Sequence, residues 1–419
     1  MAATMEPEVV TAAVPDPDLV ALAEKSARWR TVWRVHFYSG ILSMPFMLMM
    51  ALTGLMILYV QPYRELTQKD LRIVSVGPAT VSYDQMEQAV EKAYPGVKVV
   101  SMTMPYKASA STIFGLGNGR EAFVNQYSGK VLGDDDPTGG IAGVSRRLHG
   151  TLNNTQRMIS LPTVSALWDD GPVMRDYVIG DLVLEIFGGW ALVLAVSGVY
   201  LWWPRKWNGS GAGRRRLFRI RWKKAGRARW RDMHAVPGAL LCGVLLITLV
   251  SGMGWSTYWA QNFTSLANEI SPNVWTDTPS SSKVTRGDLD RIGNSIPWNT
   301  GTAAVPNSYG LPTDGSVAQP VSLNLIARIG HEEGMKPGYS VYFPDNSQKD
   351  DAGNPLSGSF VLSNSWPRKT YEARDVFVDQ FTGKTLGGRD AYGYGSVSYF
   401  MDSLVSVHMG TQFGWSIAS

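Results

Sequence analysis

Three stretches of this chain are too long and too apolar for a water-soluble fold, and they dictate what the rest can build. Phe37 to Val60 is 24 consecutive uncharged, mostly apolar positions. At about 1.5 Å per helical residue, such a run crosses a hydrocarbon core of roughly 30 Å. It is too long for a signal-peptide core and has no small-residue cleavage site, so it reads as a retained anchor. Ile186 to Trp203, led in by Leu182 to Glu185, forms a second run, and Ala235 to Ala260 a third. The hydrophobic share of 44% averages these runs with ordinary soluble segments, so composition is informative only segment by segment.

Charge orients the spans. Pro204 to Arg231 holds twelve Lys and Arg residues and no acid. A short basic loop between two spans belongs on the cytoplasmic side. Lys25, Arg28, Arg30 and Arg34, before the first span, point the same way. The expected topology has the N-terminus inside and residues 62–181 and 261–400 outside. Nucleic-acid binding is set aside because the basic run lies between spans, and the net charge of +4 mostly reflects this loop. The single cysteine, Cys242, lies within the third run and excludes an internal disulfide. It is read as a small packing residue, and each outer domain is expected to rest on its own core.

The outer regions repeat. Phe123 to Asp136 aligns with Phe377 to Asp390 without a gap, with eight identities in fourteen positions. Each copy reads as strand, turn at Ser128-Gly129 or Thr382-Gly383, and strand. Ahead of the first copy, Ser82 and Gln85 form an S-x-x-Q capping box that opens an amphipathic helix ending at Pro95-Gly96. The unit is an α+β module. In the second copy a helix is expected after Thr285, and Asn307 to Gln319 is read as loop.

Histidines mark the points where polar and apolar stretches meet. His36 and His234 both begin an H-x-x-x-G frame, and each frame's glycine is followed fourteen residues later by another, Gly54 or Gly252. His149 and His408 follow the two outer modules in matching steps, Leu148-His149-Gly-Thr151 and Val407-His408-Met-Gly-Thr411. On the topology they form one pair per leaflet, His36 with His234 inside and His149 with His408 outside. Intramembrane imidazoles are costly and default to function. Facing pairs suit six-coordinate haem iron built for electron transfer. No C-x-x-C-H is present, so the haems are expected to be b-type, two in number. Arg34 and Arg231 are candidates to neutralise haem propionates, with positive-inside anchoring as the competing role. His331 is read as a surface residue. Trp33, Trp202, Trp203, Trp230, Trp255 and Trp259 read as interfacial belts. No nicotinamide, flavin, nucleotide or zinc motif occurs, so the electron donor must be another, cytoplasmic, molecule.

W-R-x-H-x-x-x-G at the first span, the D/N-Q-x-x-G-K-x-L strand pairs, Leu148-His149, Ser197-Gly-Val-Tyr-Leu-Trp-Trp-Pro204 and H-x-x-x-G at the third span resemble the PepSY-associated transmembrane proteins, over about residues 30 to 412. That group includes iron-regulated bacterial inner-membrane proteins and dihaem ferric-siderophore reductases. The resemblance implies a membrane α-helical bundle with two α+β PepSY-like extracytoplasmic modules. It also implies two b haems on His36, His149, His234 and His408, and a haem-dependent membrane oxidoreductase that reduces ferric siderophore in the periplasm to release iron. The corresponding segments are a cytoplasmic tail (1–30), first span (31–61), first module (62–148), a His-bearing segment and loop (149–181), second span (182–203), basic loop (204–233), third span (234–260), second module (261–400), and the His-bearing start of a truncated fourth helix (401–419). Two departures from the family pattern are the missing fourth helix and a longer Gly150 to Gly180. The residues Trp168-Asp-Asp170 to Arg175 are taken as candidate substrate contacts. The competing function is a membrane-anchored PepSY binding or regulatory module without redox activity. Haem or iron transport is a third.

Overall fold

The computed structural model describes residues 17–167, 173–203, 218–222, 225–270, 284–285, 287–289, 304–309, 319–364, 369–393 and 395–413. Three of its helices are long and apolar enough to cross a bilayer: Glu24–Leu58 within α1 (Pro17–Leu58), α6 (Ile179–Trp202) and α7 (Arg227–Met253). The third begins seven residues ahead of His234, because Arg227, Ala228, Arg229, Arg231 and Met233 are good helix formers that continue the span. It ends at Met253 rather than at residue 260, and a separate helix, α8 (Tyr258–Ile270), follows.

The described residues form two compact units. One comprises residues up to Pro45 together with Gly189–Leu246, and the other comprises Phe46–Gly188 with Ile247 onward. In the first unit Cys242 is buried with its Sγ 3.7 Å from the Ala195 carbonyl, a packing contact as expected.

The second unit contains a single eight-stranded antiparallel sheet in the order β10-β9-β8-β7-β1-β2-β3-β4. Strands β1 (Val99–Thr103), β2 (Thr112–Leu116), β3 (Glu121–Val124) and β4 (Val131–Asp135) form one meander. Strands β7 (Ser340–Tyr342), β8 (Ser359–Ser363), β9 (Arg374–Asp379) and β10 (Thr385–Asp390) form the other. The two meet where β1 pairs with β7, Met102 opposite Val341. The expectation of separate cores is therefore corrected. Met86, Met102, Phe114 and Leu116 from the first copy pack in one cluster with Ile326, Val341, Phe360 and Leu362 from the second. Joining edge to edge hides two strand edges that would otherwise be left unpaired.

The repeated D/N-Q-x-x-G turn has a local cause. Asn125 and Asp379 accept backbone N–H groups two residues on, from Tyr127 and Phe381, each at 2.9 Å. Gly129 and Gly383 then take φ of 71° and 68°, the left-handed region that closes the turn. The glutamines between are buried and tie the turn to a neighbouring loop. Gln126 donates to the Ala108 and Ala110 carbonyls, and Gln380 to Asn346 Oδ1 and the Gly358 carbonyl.

After the short helices α2 (Val60–Thr67) and α3 (Lys69–Arg72), Ser82 caps α4 (Tyr83–Ala93) through the full box with Gln85. The capped helix described in the second copy is α9 (Leu323–Glu332), with Ser322 as its cap; of the stretch after Thr285 the described residues show a short 3-10 turn at Gly287–Leu289, and 290–303 lie outside them. The two helix starts cross-cap: Asp84 accepts the Leu323 N–H at 2.7 Å, and the Tyr83 N–H donates to Asn324 at 3.0 Å. Of the expected Asn307 to Gln319 loop, 307–309 carry no regular structure and 310–318 lie outside the described residues. The Gly150 to Gly180 stretch is not plain loop. It forms a hairpin, β5 (Met158–Pro162) with β6 (Met174–Val178), and β6 runs straight into α6.

Candidate functional site

In the first unit His36, on α1, faces His234, on α7, with ring centroids 6.1 Å apart and planes at 61°. In the second unit His149 faces His408 at 6.2 Å and 60°. Both pairings join the residues that the topology argument joined. Their carriers differ from expectation at the second pair. His149 sits in the last turn of α5 (Gly140–Thr151), and His408 is the last residue of α10 (Ser396–His408). His408 thus closes this helix, and residues 414–419, where the fourth helix was expected to continue, lie outside the described residues. Met409 caps it and Gly410 turns the chain at φ 73°.

Three of the four imidazoles rest on the same kind of seat, a Ser/Thr-Gly pair in a spanning helix. The His36 Nδ1 lies 3.0 Å from the Leu194 carbonyl and 3.1 Å from Ser197 Oγ. A Cβ added to the next residue, Gly198, would fall 3.0 Å from His36 Cε1. The His149 Nδ1 lies 2.9 Å from Thr53 Oγ1, and a Cβ on Gly54 would fall 3.0 Å from its Cε1. The His408 Nδ1 lies 3.1 Å from the Thr248 carbonyl and 3.3 Å from Ser251 Oγ, with a Cβ on Gly252 at 3.1 Å from its Cε1. Among the described residues no such seat contacts His234, and Gly238 of its own frame meets nothing within 4 Å.

The seats fix the tautomer. Each hydroxyl has one proton and gives it to its own helix: Ser197 to the Val193 carbonyl at 2.6 Å, Ser251 to Ile247 at 2.6 Å, and Thr53 to Met49 at 2.8 Å. The hydroxyl oxygen can then only accept from the ring, as can a carbonyl. Nδ1 therefore carries the ring proton in His36, His149 and His408, and Nε2 presents a lone pair. The glycine is needed because the ring edge lies where a side chain would stand.

The spacing fits a shared metal. With imidazole nitrogens at about 2.0–2.1 Å from an ion, and a ring centre about 1.1 Å behind each nitrogen, two opposed rings have centres about 6.3 Å apart. Among the described residues no group of three or more His, Cys, Asp or Glu is arranged to hold a bare ion. A pair of axial imidazoles is a complete protein contribution only when a macrocycle supplies the other four nitrogens.

The remaining candidates fall elsewhere. Arg34 is exposed on α1, two residues before His36. Arg231 pairs with Asp232 at 3.3 Å, and Arg221 holds the same carboxylate through two bonds of 2.6 and 2.8 Å. His331 is exposed in the last turn of α9. Trp168 to Asp170 lie outside the described residues, and Arg175 is exposed on β6. Of the seats, the sequence frames single out Gly54 and Gly252; Gly198 and the hydroxyls of Thr53, Ser197 and Ser251 carry no such mark, although Thr53-Gly54, Ser197-Gly198 and Ser251-Gly252 are matching dipeptides inside apolar runs.

Comparison with known protein families matches residues 33–418 to the PepSY-associated TM region. No curated protein matches the chain.

Proposed function

Since this chain belongs to the PepSY-associated transmembrane family, we propose that it conducts electrons across a bacterial inner membrane through two bis-histidine b-type haems. His36 and His234 hold one and His149 and His408 the other. A b-type haem held by two imidazoles would supply a reversible one-electron iron couple suited to electron transfer rather than oxygen binding. The observation that carries the reading is the recurrence of one geometry: two imidazole pairs at 6.1 and 6.2 Å with plane angles of 61° and 60°.

This chain's own residues do the positioning. Ser197, Thr53 and Ser251 hold the Nδ1 protons, which leaves the lone pair on Nε2. Glycines 198, 54 and 252 let the rings lie flush against the helices. Lipid covers the apolar faces of the three spans. The donor is a cytoplasmic reductant, and the acceptor is Fe(III) held by a siderophore on the periplasmic side, reduced by one electron to Fe(II) and released. The support for that acceptor is family membership alone.

The test is the absorption spectrum of the purified protein. A Soret band and a sharp α band on dithionite reduction are expected, with reoxidation by a ferric siderophore. Absence of both bands leaves a membrane-anchored binding module. Bands without reoxidation keep the electron conduit and remove the siderophore.

A further inference from the structure

Helix α8 is amphipathic the wrong way round for a helix in water. Trp259, Phe263, Leu266 and Ile270 recur at spacings of four, three and four, which places them on one stripe. All four point outward, exposed at 56%, 45%, 40% and 75%. The inward side is small and polar: Ala260 and Asn262 are buried, and Asn262 accepts the Val164 N–H at 2.7 Å.

Chain connectivity fixes where the stripe lies. The helix starts a few residues after the spanning α7 ends at Met253. Its first turn is clamped to the start of another span. Asp181 of α6 accepts the Thr257 N–H at 3.0 Å and its hydroxyl at 2.5 Å, and Glu185 accepts the Tyr258 N–H at 2.8 Å. These carboxylates satisfy the free N–H groups of the α8 start and hold it at the rim of two spans. Its 13 residues reach about 20 Å, short of the roughly 30 Å hydrocarbon core, so it cannot cross. Four side chains are also far too little surface for a stable dimer, which takes about 800 Å² from each partner.

We propose that α8 lies in the membrane interface, its Trp259, Phe263, Leu266 and Ile270 stripe sunk into the leaflet at which α7 ends, as a lipid-docking surface distinct from the three spans. The turn beside it, Val164–Leu167, contributes Leu167, exposed at 82%. The inference does not depend on haem.

The experiment uses the full chain in phosphatidylcholine nanodiscs with Cys242→Ala, so that one spin label can be placed at a time. Labels at Phe263→Cys, Leu266→Cys and Ile270→Cys are expected to collide preferentially with oxygen over a water-soluble nickel chelate, at a depth of about 5–10 Å below the headgroup boundary. A label at Ser347→Cys, on an exposed turn of the sheet domain, should show the reverse. Nickel preference along the α8 stripe overturns the proposal. Spin–spin broadening there that vanishes on dilution with unlabelled protein also overturns it and assigns the stripe to a second copy of this chain. A variant that fails to reconstitute is replaced by the unmodified protein, whose Trp259 emission in brominated-lipid nanodiscs should be quenched relative to Trp259→Phe difference spectra; no quenched component again rejects lipid contact.

Discussion

The His149 ring stands 6.2 Å from the His408 ring, and it reaches that position from a short helix while Thr53 and Gly54 of a spanning helix hold its far edge. The same arrangement of pair and seat around His36 makes the two sites separable by mutation. His149→Ala or His408→Ala should lose about half of the haem, and His36→Ala or His234→Ala should lose the other half. Pyridine haemochrome content and the low-spin signals in electron paramagnetic resonance read this directly. Full haem content in either set would remove that pairing.

Steric seats give a second expectation. Gly54→Val and Gly252→Val press a side chain into a ring that a Cβ alone would approach to 3.0 or 3.1 Å. Overpacking of this kind costs about 1–3 kcal/mol and should release the haem on His149 and His408 while sparing the other.

Removing a seat hydroxyl is gentler. Ser197→Ala and Ser251→Ala keep the carbonyl acceptors of Leu194 and Thr248 but lose one partner of Nδ1. Weaker support for the imidazole lowers its basicity, so the midpoint potential of one haem should rise, and affinity should fall about tenfold. Redox titration of each variant resolves which haem moved.

The joined sheet predicts shared stability. Val341→Ala, beside the β1–β7 junction, should cost about 1–3 kcal/mol. Hydrogen exchange should speed in β2 and β3 as well as in β8 and β9. Acceleration confined to the second copy would mean that the halves open independently.

Glu87, on α4, has its carboxyl pushed up to about 7 by burial, with Glu91 and Asp84 adding repulsion. The folded state therefore binds this proton more tightly than the unfolded chain, whose Glu titrates near about 4.3. The resulting stabilisation is complete below that value and is lost as pH rises through about 7. Glu87→Gln should raise the thermal midpoint of the sheet domain at pH 8 and leave it nearly unchanged at pH 4, measured by circular dichroism.

Much of this was legible in the chain. The spans followed from length and hydropathy, the Ser82 helix from its capping box, and the hairpins from the repeated D/N-Q-x-x-G turns, because each signal is local. The union of the two copies was not legible, since it rests on β1 meeting β7 across more than two hundred residues of sequence. The α9 helix was not legible because Ser322 lacks the Gln85-type partner that marks Ser82; Leu325 stands there. The histidine pairs and the seat glycines Gly54 and Gly252 follow from symmetry, whereas Gly198 and the seat hydroxyls do not stand out, because glycine and serine in an apolar helix also serve ordinary close packing.

The tautomer has a further consequence. With Nδ1–H given to a hydroxyl or a main-chain oxygen and Nε2 bound to iron, His36, His149 and His408 would have no free nitrogen to take up a proton and would be poor stepping stones for protons. Charge relayed past them would travel uncompensated, at about 2.3 kcal/mol per 100 mV for each full crossing, and its rate should follow the voltage across the bilayer.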